Sequence, residues 1–252
     1  MQNFMDSRWF TIVYTTLVLL SVIIGYVIAQ KLYVKRNRKW TVSGMESSII
    51  GFFALILSFT FSTANDGYKK RLANIHAEAD LVGAMLRLNK EMPVEIQQSV
   101  NGYIKEYLSL QIGFYSQQVK QTEWLNKEEK IQEGFYNYLK LQKKDSAILD
   151  NLERMEKGLN ELTVRIYNNF YALSERTPFL IMFLITIASL LIGCLVGFTN
   201  GFYEKRHYLV PLIYVFMVVL TVQVIKDLDY PLGGFIKPDV TNLRNIYDRI
   251  DD

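Results

Sequence analysis

The side chains that most often build metal centres or catalytic sites are few in this chain and lie far apart. His76 and His207 have no cysteine, aspartate or second histidine at ligand spacing, and the single cysteine is Cys194. Asp227 and Asp229 form an acidic pair. Two carboxylates supply too few oxygens for calcium, so we interpret this pair as a helix cap or a partner of basic residues. Phosphate-binding loops, nucleophile elbows and zinc-protease motifs are absent. The sequence therefore predicts no enzyme, no catalytic residue, no metal and no cofactor.

Residues 47–65 suggest a different chemistry, the passage of ions. On a helix they present a small polar face, whose members include Ser58, Ser62 and Asn65. Beside it runs a bulky apolar stripe at positions i, i+4 and i+8, formed by Phe53, Leu57 and Phe61. If several copies surround an axis, this apolar stripe would form a pore neck that gates by dewetting, and the polar face would replace part of an ion's hydration shell. The alternative is close helix packing, because small and hydroxyl residues let membrane helices approach one another.

A second spacing pattern concerns packing alone. Gly193, Gly197 and Gly201 recur at intervals of four residues and form one ridge on a helix. Such a ridge lets two membrane helices approach closely. We therefore predict helix packing there.

The elements that position these residues are membrane-spanning helices. About 20 apolar residues suffice to cross the hydrocarbon core as a helix. Four stretches without a charged residue come near that length, at residues 9–29, 47–65, 178–198 and 209–225. The first stretch ends in Gln30 and Lys31 without a small-residue cleavage site, so we interpret it as an uncleaved anchor.

The predicted fold is an all-α integral membrane protein with four transmembrane helices in two pairs and a long-helix soluble domain between the pairs. The first pair occupies 1–65, the soluble domain 66–177, the second pair 178–226, and a C-terminal tail 227–252. The second span shows no stop signal before Pro93, so we expect its helix to continue into water. Acidic and basic residues are balanced in the soluble domain, and the net charge is only +3, which argues against nucleic-acid binding.

Several motifs resemble those of the bestrophin-like domain family of bacterial membrane proteins. One segment runs from Tyr68 to Arg71 and on through residues 77–93, AEADLVGAMLRLNKEMP, and a second is DLDYPLGGFIK at 227–237. The most specific motif residues are Glu78, Gly83, Asp227, Asp229 and Pro231.

This resemblance implies a homo-oligomer, a pentamer by analogy, that conducts small ions passively in a bacterial inner membrane. It also implies that the second span lines the pore and that Phe53, Leu57 and Phe61 form the neck. The dense acidic cluster that holds calcium in eukaryotic bestrophins is missing, so calcium gating is not implied.

The orientation of the soluble domain stays open at this stage. The loop between the first two spans holds five basic residues, and the loop between the last two holds Lys205 and Arg206. By the positive-inside rule both loops are cytoplasmic and the helical domain faces outward, whereas the resemblance implies a cytoplasmic helical domain. Lys69, Lys70 and Arg71 at the end of the second span weaken the contrast.

The sequence thus predicts a multi-pass cell-membrane protein that contacts the lipid bilayer and is a passive ion channel. The alternative function is a membrane-anchored signalling or scaffolding module, in which the helical domain binds a protein or a small ligand.

Overall fold

The structure is a computed structural model that describes residues 8–33, 35, 44–143, 147–202, 208–230 and 232–250. Its regular elements are one π-helical turn, Ala29–Tyr33, and eight α-helices. They are α1 (Arg8–Ile28), α2 (Met45–Asn89), α3 (Val94–Tyr115), α4 (Gln121–Gln142), α5 (Leu149–Ser174), α6 (Phe179–Asn200), α7 (Leu209–Asp229) and α8 (Thr241–Asp248). The described residues contain no strand, so the all-α prediction is confirmed.

In the described part of the chain, four helices are long and apolar enough to cross a membrane, as predicted. They are α1, α2, α6 and α7, and the third of these apolar regions begins after Pro178. A multi-pass membrane protein follows from this count.

The helix boundaries follow the local sequence closely. Gly44, with a φ of 79°, precedes α2 in a left-handed conformation that favours glycine. As predicted, α2 continues without a break past the end of its apolar stretch and stops before Pro93. Pro93 and Pro178 each stand immediately before a helix, at its N-cap position. Asp145 and Ser146, whose side chains are of a type that caps helices, precede α5 in the sequence and lie outside the described residues.

The chain divides into two compact units. Unit 1 comprises Met1–Gly67 and Arg176–Tyr230, and unit 2 comprises Tyr68–Glu175 and Pro231–Asp252. The predicted pairing of the spans around an inserted soluble domain remains a proposal.

Unit 1 has a buried hydrogen-bonded pair between α1 and α6 and many apolar side chains on its outside. Tyr14 donates a hydrogen bond of 2.9 Å to the hydroxyl of Ser189, which itself donates to the carbonyl of Thr186. Large apolar side chains such as Leu191 and Phe216 are more than 60% exposed. A surface of this kind suits hydrocarbon and would be a liability in water.

The glycine ridge of α6 lies against α1. An ideal Cβ added at Gly197 would lie 1.9 Å from the carbonyl oxygen of Val22, and one added at Gly193 would lie 2.2 Å from the hydroxyl oxygen of Ser21. At Gly201 the added atom would meet the Cβ of Ala29 at 2.6 Å. No side chain other than hydrogen fits at these distances, so the two backbones approach closely.

Unit 2 has a continuous apolar core. The apolar stripe of α5 is buried, with Leu152 and Met155 fully inaccessible. It packs with Leu108 of α3 and Leu139 of α4. At one end, the rings of Phe114 and Trp124 stack with centroids 4.7 Å apart. Burial of this kind is the main stabilising contribution to a helical domain.

Candidate pore-lining helix

α2 is too long to be a membrane span over its whole length. Its 45 residues extend about 67 Å at 1.5 Å per residue, more than twice the thickness of a hydrocarbon core. Only residues 47–65 are both apolar and free of charge. This stretch belongs to unit 1, and a pore built from it would carry no ring of fixed charge.

One side of this stretch packs against the other helices of unit 1. Phe53 and Thr60 are each 5% exposed, and Ala64 is 2% exposed. Phe53 belongs to the same apolar cluster as Tyr14 of α1 and Ile185 of α6. This side of α2 therefore holds the helix against the other helices of its own chain.

The small polar face points the opposite way. At about 100° per residue, Ser58 and Ser62 lie on the side of α2 roughly opposite Thr60. Both serines are exposed, as is Gly51, whereas Asn65 is half-buried. No heavy atom outside the helix's own turn comes within 4 Å of a Cβ built at Gly51. The polar face is thus turned away from the other helices of unit 1.

The predicted apolar stripe runs obliquely from the packed side to the exposed side. Phe53 is buried, Leu57 is half-buried and packs against the same cluster, and Phe61 is 40% exposed. Within a single chain, the accessibility of the stripe increases from Phe53 to Phe61.

Three of the exposed apolar residues of α2 outside the predicted stripe form a second set. They are Phe52, Leu55 and Phe59, which are 64%, 52% and 67% exposed. Their spacing of i, i+3 and i+7 is as helical as that of the predicted stripe. Leu55 lies at the edge of the small polar face that is nearer to Phe59. Spacing alone could not show which of the two apolar sets faces the other helices of unit 1.

The threonine hydroxyls in this stretch are bonded to the helix itself. Thr60 donates to the carbonyl of Ile56 at 2.9 Å, and Thr63 donates to the carbonyl of Phe59 at 3.0 Å. This back-bonding satisfies their protons and leaves oxygen lone pairs on the side chains. An ion or a water molecule can use such lone pairs.

The family motif residues are divided between the two units. In unit 2, Glu78 is buried and Gly83 is half-buried. In unit 1, Asp227 is 7% exposed, and Asp229 accepts a hydrogen bond of 3.3 Å from the backbone N–H of Thr177. Pro231 lies outside the described residues. Among those described, no group of three or more His, Cys, Asp and Glu side chains could hold a metal ion.

Comparisons with solved structures agree with this architecture. A crystal structure of a bacterial bestrophin homologue from Klebsiella pneumoniae, carrying a point mutation, matches with a TM-score of 0.71 at 17% identity, over 95% of this chain and 94% of that one. A second mutant structure described in the same words also matches with a TM-score of 0.71 at 17% identity, over 96% of this chain and 99% of that one. At this identity the likeness concerns the fold alone. Comparison with curated proteins gives no significant match.

Four helices able to span a membrane and an all-α fold shared with bacterial bestrophin homologues define the class, a helical multi-pass membrane protein. The family follows from the sequence match. The bestrophin-like domain model matches residues 12–239, so the chain belongs to the bestrophin-like family.

Proposed function

We propose that this bestrophin-like protein is a passive ion channel, in which several copies surround an axis and α2 of each copy lines the pore. The observation that carries the proposal is the small polar face of α2, marked by Ser58 and Ser62, which points away from the helices of its own subunit. A membrane helix whose uncharged polar face is unused within its subunit can place that face against water.

In this channel the hydroxyls of Ser58 and Ser62, with the amide of Asn65, replace part of an ion's hydration. The stripe of Phe53, Leu57 and Phe61 forms the apolar neck, and Phe61 is its most accessible member. Because residues 47–65 contain no charge, the neck controls the passage of ions through its width and through whether water fills it. The spans form two pairs around the helical domain, and the membrane is the bacterial inner membrane. No enzymatic step is part of this function.

The oligomeric state is the first test of the proposal. We expect the purified full-length protein in mild detergent to form a ring of several copies, five by family resemblance, because one copy of α2 cannot enclose a pore. Native mass spectrometry would give the number of chains directly. A monomer or a simple dimer, found in several detergents and in lipid nanodiscs, would contradict the channel.

A second candidate function is a membrane-anchored binding module, which one feature of unit 2 favours. A surface groove of about 630 Å³ lies among α3, α4 and α8. Lys105, Lys130 and Tyr247 are among the residues that line it, and the Lys105 ammonium lies 5.4 Å from the centre of the Tyr247 ring. A volume of this size suits a small ligand. A ring of chains that conducts ions without any added ligand would favour the channel over this module.

A further inference from the structure

Unit 2 contains a buried carboxyl group that the proposed channel does not use. Glu78 of α2 is 1% exposed, and both of its carboxyl oxygens accept hydrogen bonds. Tyr107 donates to Oε1 at 2.6 Å, and the amide of Asn169 donates to Oε2 at 3.3 Å. The same amide contacts the hydroxyl of Tyr115 at 2.5 Å. Glu78 therefore lies at the centre of a polar cluster formed by α2, α3 and α5.

The cluster offers this carboxyl group no positive charge. Among the described residues, no ion pair reaches Glu78. Arg71, two turns earlier on α2, directs its Nη1 to the carbonyl of Ala172 at 3.4 Å. The titratable groups that face Glu78 are Tyr107 and Tyr115 from α3 and Glu128 from α4, and α5 contributes only the neutral Asn169. A second acid and two phenols cannot neutralise a carboxylate.

The space around Glu78 is too tight for a metal ion or a chloride counter-ion. It is a closely packed cleft that is also lined by Gln111, Trp124 and Phe170. Three buried polar atoms there have no hydrogen-bond partner: Gln111 Nε2, Trp124 Nε1 and Asn169 Oδ1. A buried charge without a partner is costly, so the species that fits this place is a proton.

We propose that Glu78 is a proton-binding site in the interior of unit 2, and that loss of its proton draws the unpaired N–H groups of Gln111 and Trp124 towards the carboxylate. In the protonated form these donors stay unpaired and Glu78 is neutral. In the ionised form they hydrogen-bond to a group that now needs them. The site is thus a pH-sensitive switch between two arrangements of one polar cluster.

The electrostatics agree with the geometry. Burial raises the pKa of Glu78 to about 7, although the hydrogen bonds from Tyr107 and Asn169 lower it in part. Burial and the neighbouring charge of Glu78 likewise raise the pKa of Glu128 to about 7. Both groups lie in unit 2 and outside the apolar stretch 47–65. Protonation near neutral pH is therefore within the range that a cell reaches.

Infrared spectroscopy of the full-length protein in detergent tests the site. We expect a band of protonated carboxylic acid at pH 6 that disappears as the pH is raised to about 8.5, with a midpoint near the pKa of Glu78. Glu78→Gln, which keeps the shape and neutrality of the protonated side chain, is expected to remove one component of this band. Glu128→Gln is the matched control and is expected to leave that component in place.

Tyr107→Phe tests the midpoint of the Glu78 titration, which would not change if Glu78 had a purely structural role. It deletes the hydrogen bond that lowers the pKa of Glu78, so we expect the midpoint of the Glu78 component to shift upward while the band itself remains. The proposal is overturned if the spectrum shows no carboxyl band that titrates between pH 5 and 9. It is equally overturned if Glu78→Gln leaves the band unchanged.

Thermal unfolding supplies an independent check with a defined sign. Because the pKa of Glu78 is higher in the folded chain than its ordinary value, the folded state binds more protons between those two values. The contribution of Glu78 to stability is then fully present at low pH and is lost as the pH rises through about 7. We expect the unfolding midpoint to be higher at pH 5.5 than at pH 8, and this difference to shrink in Glu78→Gln. An equal difference in both proteins would contradict the proposal.

Discussion

Phe61→Ala is expected to raise ion flux through liposomes containing the protein about tenfold, which corresponds to a barrier lower by about 1.4 kcal/mol. The physical reason is that an apolar constriction resists wetting, and removal of a large ring widens and hydrates it. Phe61 is the best member of the predicted neck for this test because its side chain is 40% exposed. Phe53→Ala would also leave a cavity in the packed bundle, so its effect on flux would mix gating with stability.

The control for this experiment is Phe216→Ala on α7. Phe216 is 63% exposed, so its truncation removes a similar ring from the outside of unit 1 without touching α2. We expect its flux to equal that of the wild type. The measurement is the release of a trapped ion from liposomes with equal amounts of reconstituted, correctly assembled protein.

Leu55→Ala and Phe59→Ala extend the same experiment to the other edge of the small polar face. An increase on Phe59→Ala with none on Phe61→Ala would show that α2 is turned the other way about its axis, and would replace the predicted neck by Leu55 and Phe59. If assembled protein stays silent in the wild type and in every variant, α2 is a packing helix and the channel proposal fails.

The helices could be predicted from the sequence because their signals are local. The stripe of α5 recurs every three or four residues, and residues such as Leu152, Met155 and Leu159 are buried as that period requires. The same holds for the four apolar stretches, whose length and lack of charge are enough to identify them. The breaks at Pro93 and Pro178 fall within one residue of their predicted places.

The direction in which α2 turns its faces could not be predicted. Periodicity identifies a face, but it does not say whether that face meets the same subunit, another copy, lipid or water. The burial of Phe53 beside the exposure of Phe52 depends on where α1 and α6 stand, and nothing in residues 47–65 encodes their positions. Any helix with two apolar edges leaves the same ambiguity.

The polar cluster around Glu78 was also beyond the reach of a single sequence. Tyr107 and Asn169 lie 29 and 91 residues away from Glu78, on different helices, and neither is part of a recognisable motif. Family resemblance singled out Glu78 but not its environment. A buried acid becomes visible only when the tertiary structure shows that no cation accompanies it.

The contact between α1 and α6 carries the largest expected effect on stability. In Gly197→Ala the new Cβ would lie 1.9 Å from the carbonyl oxygen of Val22. This oxygen belongs to the backbone, so it cannot rotate away. The two helices must therefore separate. We expect a loss of about 1–3 kcal/mol, the usual cost of overpacking, and a clearly lower midpoint of thermal unfolding in detergent.

Gly51→Ala is the matched control, since it adds the same methyl group to a helix of the same unit. No heavy atom beyond the local turn of α2 lies within 4 Å of its Cβ, so the single chain accommodates it without strain. Alanine also favours a helix over glycine by about 1 kcal/mol, so an unchanged or higher midpoint is expected. Equal losses of stability in both variants would mean that α1 and α6 lie farther apart than they do in the structure. A loss confined to Gly51→Ala would instead place another copy of the chain against the polar face of α2.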